Sequence, residues 1–270
     1  MVARQPGQRE FAIRMEWGLR GAQEVTKDAD WAVVVDVLSF TTTVSVALDQ
    51  GAVVFPYPWR DESAQAFARR HAAALAVGRT KAGHADSAQR EPDGAGRLVS
   101  LSPVSIRAAP GLDRIVLPSP NGSALAAALA GSGCQILAAC LRNRKAVATW
   151  VSNQVRDQRR QLVIAVIAAG ERWPDGTLRP AVEDLWGAGA VIAAMANLGI
   201  TGLSPEARAA SAAWHMIAPE PDMAMLNCTS GMELVDAGFS TDVTIAAELD
   251  GSQCVPVLVG GRFVDARFST

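Results

Sequence analysis

The stretch Trp31-Ala32-Val33-Val34-Val35-Asp36-Val37-Leu38-Ser39-Phe40-Thr41-Thr42-Thr43 constrains this chain more than any other. A continuous β-branched run reads as a strand buried on both faces, the habit of a parallel sheet covered by helices on either side. One carboxylate, Asp36, stands at its carboxyl end, and the hydroxyls of Ser39, Thr41, Thr42 and Thr43 follow. In open α/β sheets, ligands bind just beyond the carboxyl ends of the strands. An acid with small hydroxyls at such an edge suits a metal ion or an anionic ligand. The plainer alternative is that Asp36 ends the strand and the threonines cap the next helix.

The rest of the chain alternates in the same manner. Strand-like runs at Phe11–Met15, Ala52–Phe55, Arg114–Leu117, Gln135–Ala139 and Gln161–Ala168 are separated by helical patterns over Thr42–Asp49, Asp61–Leu75, Ala124–Ala130, Arg144–Val155 and Pro180–Leu198. This predicts a three-layer α/β/α sandwich with a largely parallel sheet. The runs Val243–Leu249 and Val255–Val259 are expected to close the chain as an antiparallel pair through Asp250-Gly251-Ser252. The polar stretch Gly78–Gly96 reads as a long loop. No Pro/Ser-rich linker divides the chain, so residues 1–270 are expected to form one α/β domain, with two lobes as the only subdivision.

Composition excludes several classes. Lys and Arg total 25 against 27 Asp and Glu, so no basic footprint for nucleic acid exists. No apolar run is long enough to span a bilayer, and the polar first ten residues lack the apolar core of a signal peptide; the expectation is a cytoplasmic protein that touches no membrane. Cys134, Cys140, Cys228 and Cys254 are scattered, and His71, His84 and His215 show no ligand spacing, which argues against a zinc site. There is no G-x-S-x-G elbow, no P-loop and no G-x-G-x-x-G after a strand. Position 38 is Leu, so the second aspartate of haloacid-dehalogenase-type phosphatases is missing.

Two further strand-end features join Asp36. Ser119-Pro120-Asn121-Gly122-Ser123 follows the strand Ile115-Val116-Leu117. Backbone N–H groups in such a turn, helped by the helix that follows, can cradle an anion, and Ser119, Asn121 and Ser123 add side-chain donors. Glu183-Asp184 opens the helix after the Gln161–Ala168 strand. Neighbouring helical side chains point about 100° apart, so at most one of these acids can aim directly at a common point with Asp36, leaving the other oblique or in solvent. Carboxylates supply hard oxygen ligands for Mg²⁺, which commonly bridges to substrate phosphate. Together the three features predict metal-assisted hydrolysis of a phosphate ester.

With these residues assembled, the chain resembles the 2-phosphosulfolactate phosphatase family. The resemblance rests on Asp36-Val37-Leu38-Ser39-Phe40-Thr41-Thr42, Leu101-Ser102-Pro103, Pro120-Asn121-Gly122-Ser123, Val182-Glu183-Asp184 with Ala188-Gly189-Ala190, Asp242-Val243 and Val255-Pro256, in that order. It implies an α/β fold and Mg²⁺-dependent removal of phosphate from 2-phosphosulfolactate or a related small 2-phospho acid. In that reading Asp36 and one of Glu183 or Asp184 hold the metal, Asp36, Asn121 and Asp184 are the catalytic set, and Asn121, Gly122 and Ser123 hold the phosphate with Thr41 and Thr42 in support. Ser39, Arg79, Ser102 and Ser119 complete the substrate-binding candidates. The chain departs from the family at Ser39, where members carry Arg, at Arg79, where an acid is common, and at Leu101, where Asn precedes Ser-Pro. An Arg fork recognises carboxylate, sulfonate or phosphate in a way a serine cannot. Arg79 is expected to replace that charge if its segment folds over the site. The expected partner is therefore a small anionic phosphorylated substrate. A non-catalytic or degenerate anion-binding protein on the same scaffold is the competing expectation, and the Ala-rich helices between Pro180 and His215 leave a homo-oligomer open.

Overall fold

The computed structural model describes residues 7–79, 99–158 and 160–268. From position 80 onward, the stretch expected to be a long loop lies outside the described residues, as does His84.

The strands are β1 (Ile13–Trp17), β2 (Trp31–Val35), β3 (Val53–Tyr57), β4 (Ala74–Val77), β5 (Val99–Ser100), β6 (Arg114–Pro118), β7 (Gln135–Ala139), β8 (Ile164–Ala168), β9 (Glu171–Arg172), β10 (Leu178–Arg179), β11 (Pro256–Val259) and β12 (Arg262–Asp265). The helices are α1 (Gly18–Val25), α2 (Phe40–Asp49), α3 (Glu62–Arg70), α4 (Pro103–Arg107), α5 (Gly122–Leu129), α6 (Arg144–Asp157), α7 (Val182–Asn197), α8 (Pro205–Ile217), α9 (Pro221–Asn227), α10 (Thr229–Asp236) and α11 (Ser240–Ala247). A ten-stranded sheet in the order β1-β8-β2-β7-β11-β12-β3-β6-β4-β5 is the spine, with β9 and β10 as a separate two-stranded ribbon.

Every residue of β2 is buried. Successive side chains of a strand point to opposite faces, and the burial obeys this. Val33 and Val35 join a core with Val147 and Val151 of α6 and Val191 and Ile192 of α7. Ala32 and Val34 join another with Phe40 and Val44 of α2 and Leu125 of α5. Helices therefore cover both faces, as an α/β sandwich requires.

The sheet is parallel within each half. β1, β8, β2 and β7 form one parallel block and β3, β6, β4 and β5 another. The antiparallel β11–β12 hairpin joins them, and each of its strands is antiparallel to the block it meets. The blocks consequently run in opposite directions, which in a flat sheet would put the carboxyl ends of β2 and β6 at opposite edges. Sheet twist of about 20–25° per strand, accumulated over the five steps between them, turns those ends toward each other. The two ends do meet: the N–H of Gly122, in the turn after β6, lies 2.8 Å from a carboxylate oxygen of Asp36, just beyond β2.

Two expectations are corrected. Val243–Leu249 is not a strand: residues 240–247 are α11, which carries the buried carboxylate of Asp242. A short apolar run does not distinguish strand from buried helix by periodicity alone. The terminal hairpin instead pairs β11 with β12 across Gly260-Gly261, whose φ values of 57° and 78° are those of a primed turn that glycine adopts without strain. The second correction is β4, which lies inside the region expected to be one helix from Asp61 to Leu75; that helix ends at Arg70.

Candidate active site

Asp36 stands one residue beyond β2, and its carboxylate is buried. Oδ1 accepts the Phe40 N–H at 3.0 Å and Oδ2 accepts the Gly122 N–H at 2.8 Å. The first bond lies within the turn into α2; the second crosses from β2 to the turn after β6. A Cβ at position 122 would lie 2.6 Å from Asp36 Oδ2 and 2.3 Å from Phe40 Cδ1, so only glycine permits the approach.

A polar cleft of about 150 Å³ opens beside this carboxylate. Asp36, Ser39, Arg60, Arg79, Asn121 and Glu171 give it its polar character, with Ser119 and Thr43 at its wall and Leu38, Phe40, Leu101, Leu117 and Pro120 as its apolar lining. Asn121 donates Nδ2–H to Glu171 Oε2 at 2.8 Å and receives Arg172 Nε–H on Oδ1 at 3.3 Å, which fixes both faces of its amide. Arg60 is anchored by Nε–H to the Pro118 carbonyl at 3.2 Å. Arg79 donates Nη2–H to Ser39 Oγ at 2.5 Å.

Of the candidate residues, the structure gathers Asp36, Ser39, Arg79, Ser119 and Asn121 at the cleft. The others lie behind it, their polar atoms already used. Thr41 Oγ1 donates to the Asp36 carbonyl at 2.7 Å and accepts the Asp36 N–H at 3.0 Å, and Thr42 Oγ1 donates to the Val37 carbonyl at 2.7 Å. Both are fully buried, holding the strand-to-helix turn rather than facing a ligand. Ser123 donates to the Leu117 carbonyl at 2.6 Å, the Gly122 N–H is taken by Asp36, and Ser102 donates to Asp242. Asp184 bridges two strand ends, accepting the Val37 N–H at 2.7 Å and the Gly170 N–H at 2.8 Å. Neither helix acid faces solvent, since Glu183 is buried too, beside the Cys228 thiol that burial pushes up to about 12.

Arg60 and Glu171 are the cleft residues that reading the sequence missed. The signal was present: each follows the carboxyl end of a strand, Arg60 after β3 and Glu171 after β8.

The electrostatics are those of excess buried negative charge. Burial, followed by repulsion from Asp36, lifts Glu171 to about 7. Burial raises Asp36 against the two N–H groups that it accepts, and burial with the Asp36 charge raises Asp184 well above its ordinary value. No group of three or more His, Cys, Asp or Glu side chains is arranged as a metal cage among the described residues. Asp36 and Glu171 do share the cleft, and Mg²⁺ is commonly held by one or two carboxylates together with substrate phosphate.

Residues 20–261 match the profile of the 2-phosphosulpholactate phosphatase family. The chain belongs to that family. A Deinococcus radiodurans protein named "Probable 2-phosphosulfolactate phosphatase" is 30% identical over 244 residues, covering 88% of this chain and 91% of its own. Like-named proteins of Thermus thermophilus and Parasynechococcus marenigrum are 27% and 28% identical, covering 86% of this chain and 89% and 91% of theirs. The family is one of phosphoric monoester hydrolases, which agrees with the resemblance read from the motifs. No helix among the described residues is long and apolar enough to cross a membrane.

Proposed function

We propose that this chain hydrolyses a small acidic phosphate ester, 2-phosphosulfolactate or a related 2-phospho acid, with Mg²⁺ as cofactor. The observation that carries the reading is the cleft itself, where the fixed carboxylate of Asp36 meets Asn121, Glu171 and the guanidinium of Arg60. The names of the relatives supply the substrate class.

Hydrolysis joins a water oxygen to phosphorus and breaks the ester P–O bond, with charge spread over the three phosphoryl oxygens. Arg60 offers those oxygens charge-assisted donors from an anchored side chain. Ser119 contributes a hydroxyl at the cleft wall. Asn121, clamped between Glu171 and Arg172, keeps the Glu171 carboxylate turned toward the site. Asp36 and Glu171 are the carboxylates that line the cleft, while both oxygens of Asp184 are taken by backbone N–H groups, so Asp36 and Glu171 are assigned as the residues that would hold a divalent cation, in place of Glu183 and Asp184. When bound, Mg²⁺ supplies Lewis-acid polarisation of the phosphoryl oxygens and lowers the pKa of a coordinated water.

The test is phosphate release from purified protein, with Mg²⁺ and with EDTA, using 2-phosphosulfolactate, phospholactate, phosphoglycolate and 4-nitrophenyl phosphate. Metal-dependent turnover that Asp36→Asn abolishes supports the proposal. Tight binding of the acidic esters without turnover selects the anion-binding alternative.

A further inference from the structure

Arg79 is held in an unusual way for a residue at the edge of a cleft. Its side chain is 20% exposed, yet its ion-pair partner, Asp242, is only 1% exposed. Arg79 Nε–H donates to Asp242 Oδ2 at 2.8 Å. The other carboxylate oxygen of Asp242 accepts from the Ser102 hydroxyl and from the Val104 N–H at 3.3 Å. The guanidinium also lies over the Phe239 ring, 5.7 Å from its centroid. Asp242 is thus a buried strut fixed from α4, and it aims a half-immersed cation at Ser39 on the cleft wall. A buried ion pair is weak as a device for stability, because desolvation offsets its attraction. It is effective as a device for orientation.

The cleft holds a second guanidinium. Arg60 is near enough to Arg79 to be repelled by it, and it also feels Asp36 and Glu171. Both guanidinium groups line the same cleft of about 150 Å³, so a ligand there with more than one negative group can meet each of them. Arg60 interacts with the Glu171 and Asp36 carboxylates, and Arg79 stands by Ser39. A guanidinium has five N–H donors, of which Asp242 and Ser39 take two.

We propose that Arg79 recognises the second anionic group of the substrate, a carboxylate or sulfonate, and that Asp242 is its positioning residue. This rests on the phosphatase reading for the identity of the substrate but not for the binding site itself. The Ser39 hydroxyl accepts one Nη2–H of Arg79 and so holds the guanidinium at the cleft wall.

The experiment compares wild type, Arg79→Gln and Arg79→Lys on 2-phosphosulfolactate and on 4-nitrophenyl phosphate, which has no second acid. The expected result for Arg79→Gln is a fall of tenfold or more in the ratio of kcat/KM for the acidic over the aryl ester, carried by KM of the acidic ester. Arg79→Lys keeps the charge without the fork and is expected to lie between. Asp242→Asn should move the same ratio in the same direction. A purely structural Arg79 would lower both substrates alike, and an unchanged ratio overturns the proposal. A second arm measures calorimetric binding of sulfolactate, which carries no phosphate. Wild type should bind it at least tenfold more tightly than Arg79→Gln. If wild type hydrolyses neither ester, the phosphatase reading fails and this arm alone decides Arg79: weaker binding by the variant upholds its role, and equal or absent binding overturns it.

Discussion

The N–H of Gly122 donates to Oδ2 of Asp36 at 2.8 Å, joining residues 86 positions apart. This bond ties the carboxyl end of β2 to the turn after β6, which belong to opposed blocks of the sheet. It places Asp36 at the cleft and orients its carboxylate. Gly122→Ala would force its new Cβ onto Asp36 and Phe40. We expect it to destabilise the fold by roughly 1–3 kcal/mol and to lower phosphate release beyond what the lost stability explains. Urea unfolding midpoints and kcat measured on the folded fraction check this.

Asp36→Asn should leave the fold cooperative and reduce kcat by on the order of 100-fold or more. The amide keeps the shape of the carboxylate but removes the charge and turns a donor toward one of the two N–H groups that Asp36 accepts. Single-turnover phosphate release with a circular-dichroism control measures it; an activity near wild type would exclude Asp36 from the reaction.

Thr41→Val and Thr42→Val are expected to behave as stability variants. Their hydroxyls bind the backbone of the turn between β2 and α2. Each loss should cost about 1–2 kcal/mol and leave KM for the ester close to wild type. A large rise in KM without lost stability would return these residues to the substrate.

The raised carboxylates set a pH dependence of definite sign. Glu171 titrates near 7 in the folded protein against 4.5 in its ordinary setting. Between those values the folded state holds more protons than the unfolded state, so the stability contributed by this group is complete below about 4.5 and lost as pH rises through 7. Asp36 and Asp184 shift in the same direction. The metal-free protein should therefore lose Tm as pH rises from 5 to 8, and Glu171→Gln should flatten part of that slope. A scanning-calorimetry series in EDTA tests it.

Mg²⁺ should reverse that trend. A cation held by Asp36 and Glu171 competes with the proton at Glu171, so its affinity should rise as pH increases through 7 and level off above it. Titration of Tm or calorimetric heat with Mg²⁺ at pH 6 and pH 8 reads the difference. Equal affinity at both pH values would remove Glu171 from the ligand set.

Much of the protein was legible along the chain. The buried run ending at Asp36 and the strand–helix alternation led to an α/β sandwich, because side-chain period and β-branching are local properties. The terminal hairpin was misread because Val243–Leu249 is too short an apolar run for period to separate strand from helix, and tertiary packing made it α11. At the site, the rule that ligands gather at strand ends found Asp36 and Asn121. Applied to β3 and β8, it would also have found Arg60 and Glu171.

The sequence by itself determined the fold class, the strand that carries the central acid and the turn that approaches it, since each is written in a contiguous stretch. Tertiary structure alone decided which polar groups face the cleft. Asp184 and Glu183 look equivalent to Glu171 in a sequence, yet Asp184 is committed to two backbone N–H groups across β2 and β8, and Glu183 is buried beside Cys228. Thr41, Thr42 and Ser123 look like ligand donors and are bound to backbone carbonyls instead. The reason is physical: a buried polar group takes the nearest partner available, and for these residues the nearest partner is set by strand order and sheet twist, which no local pattern encodes.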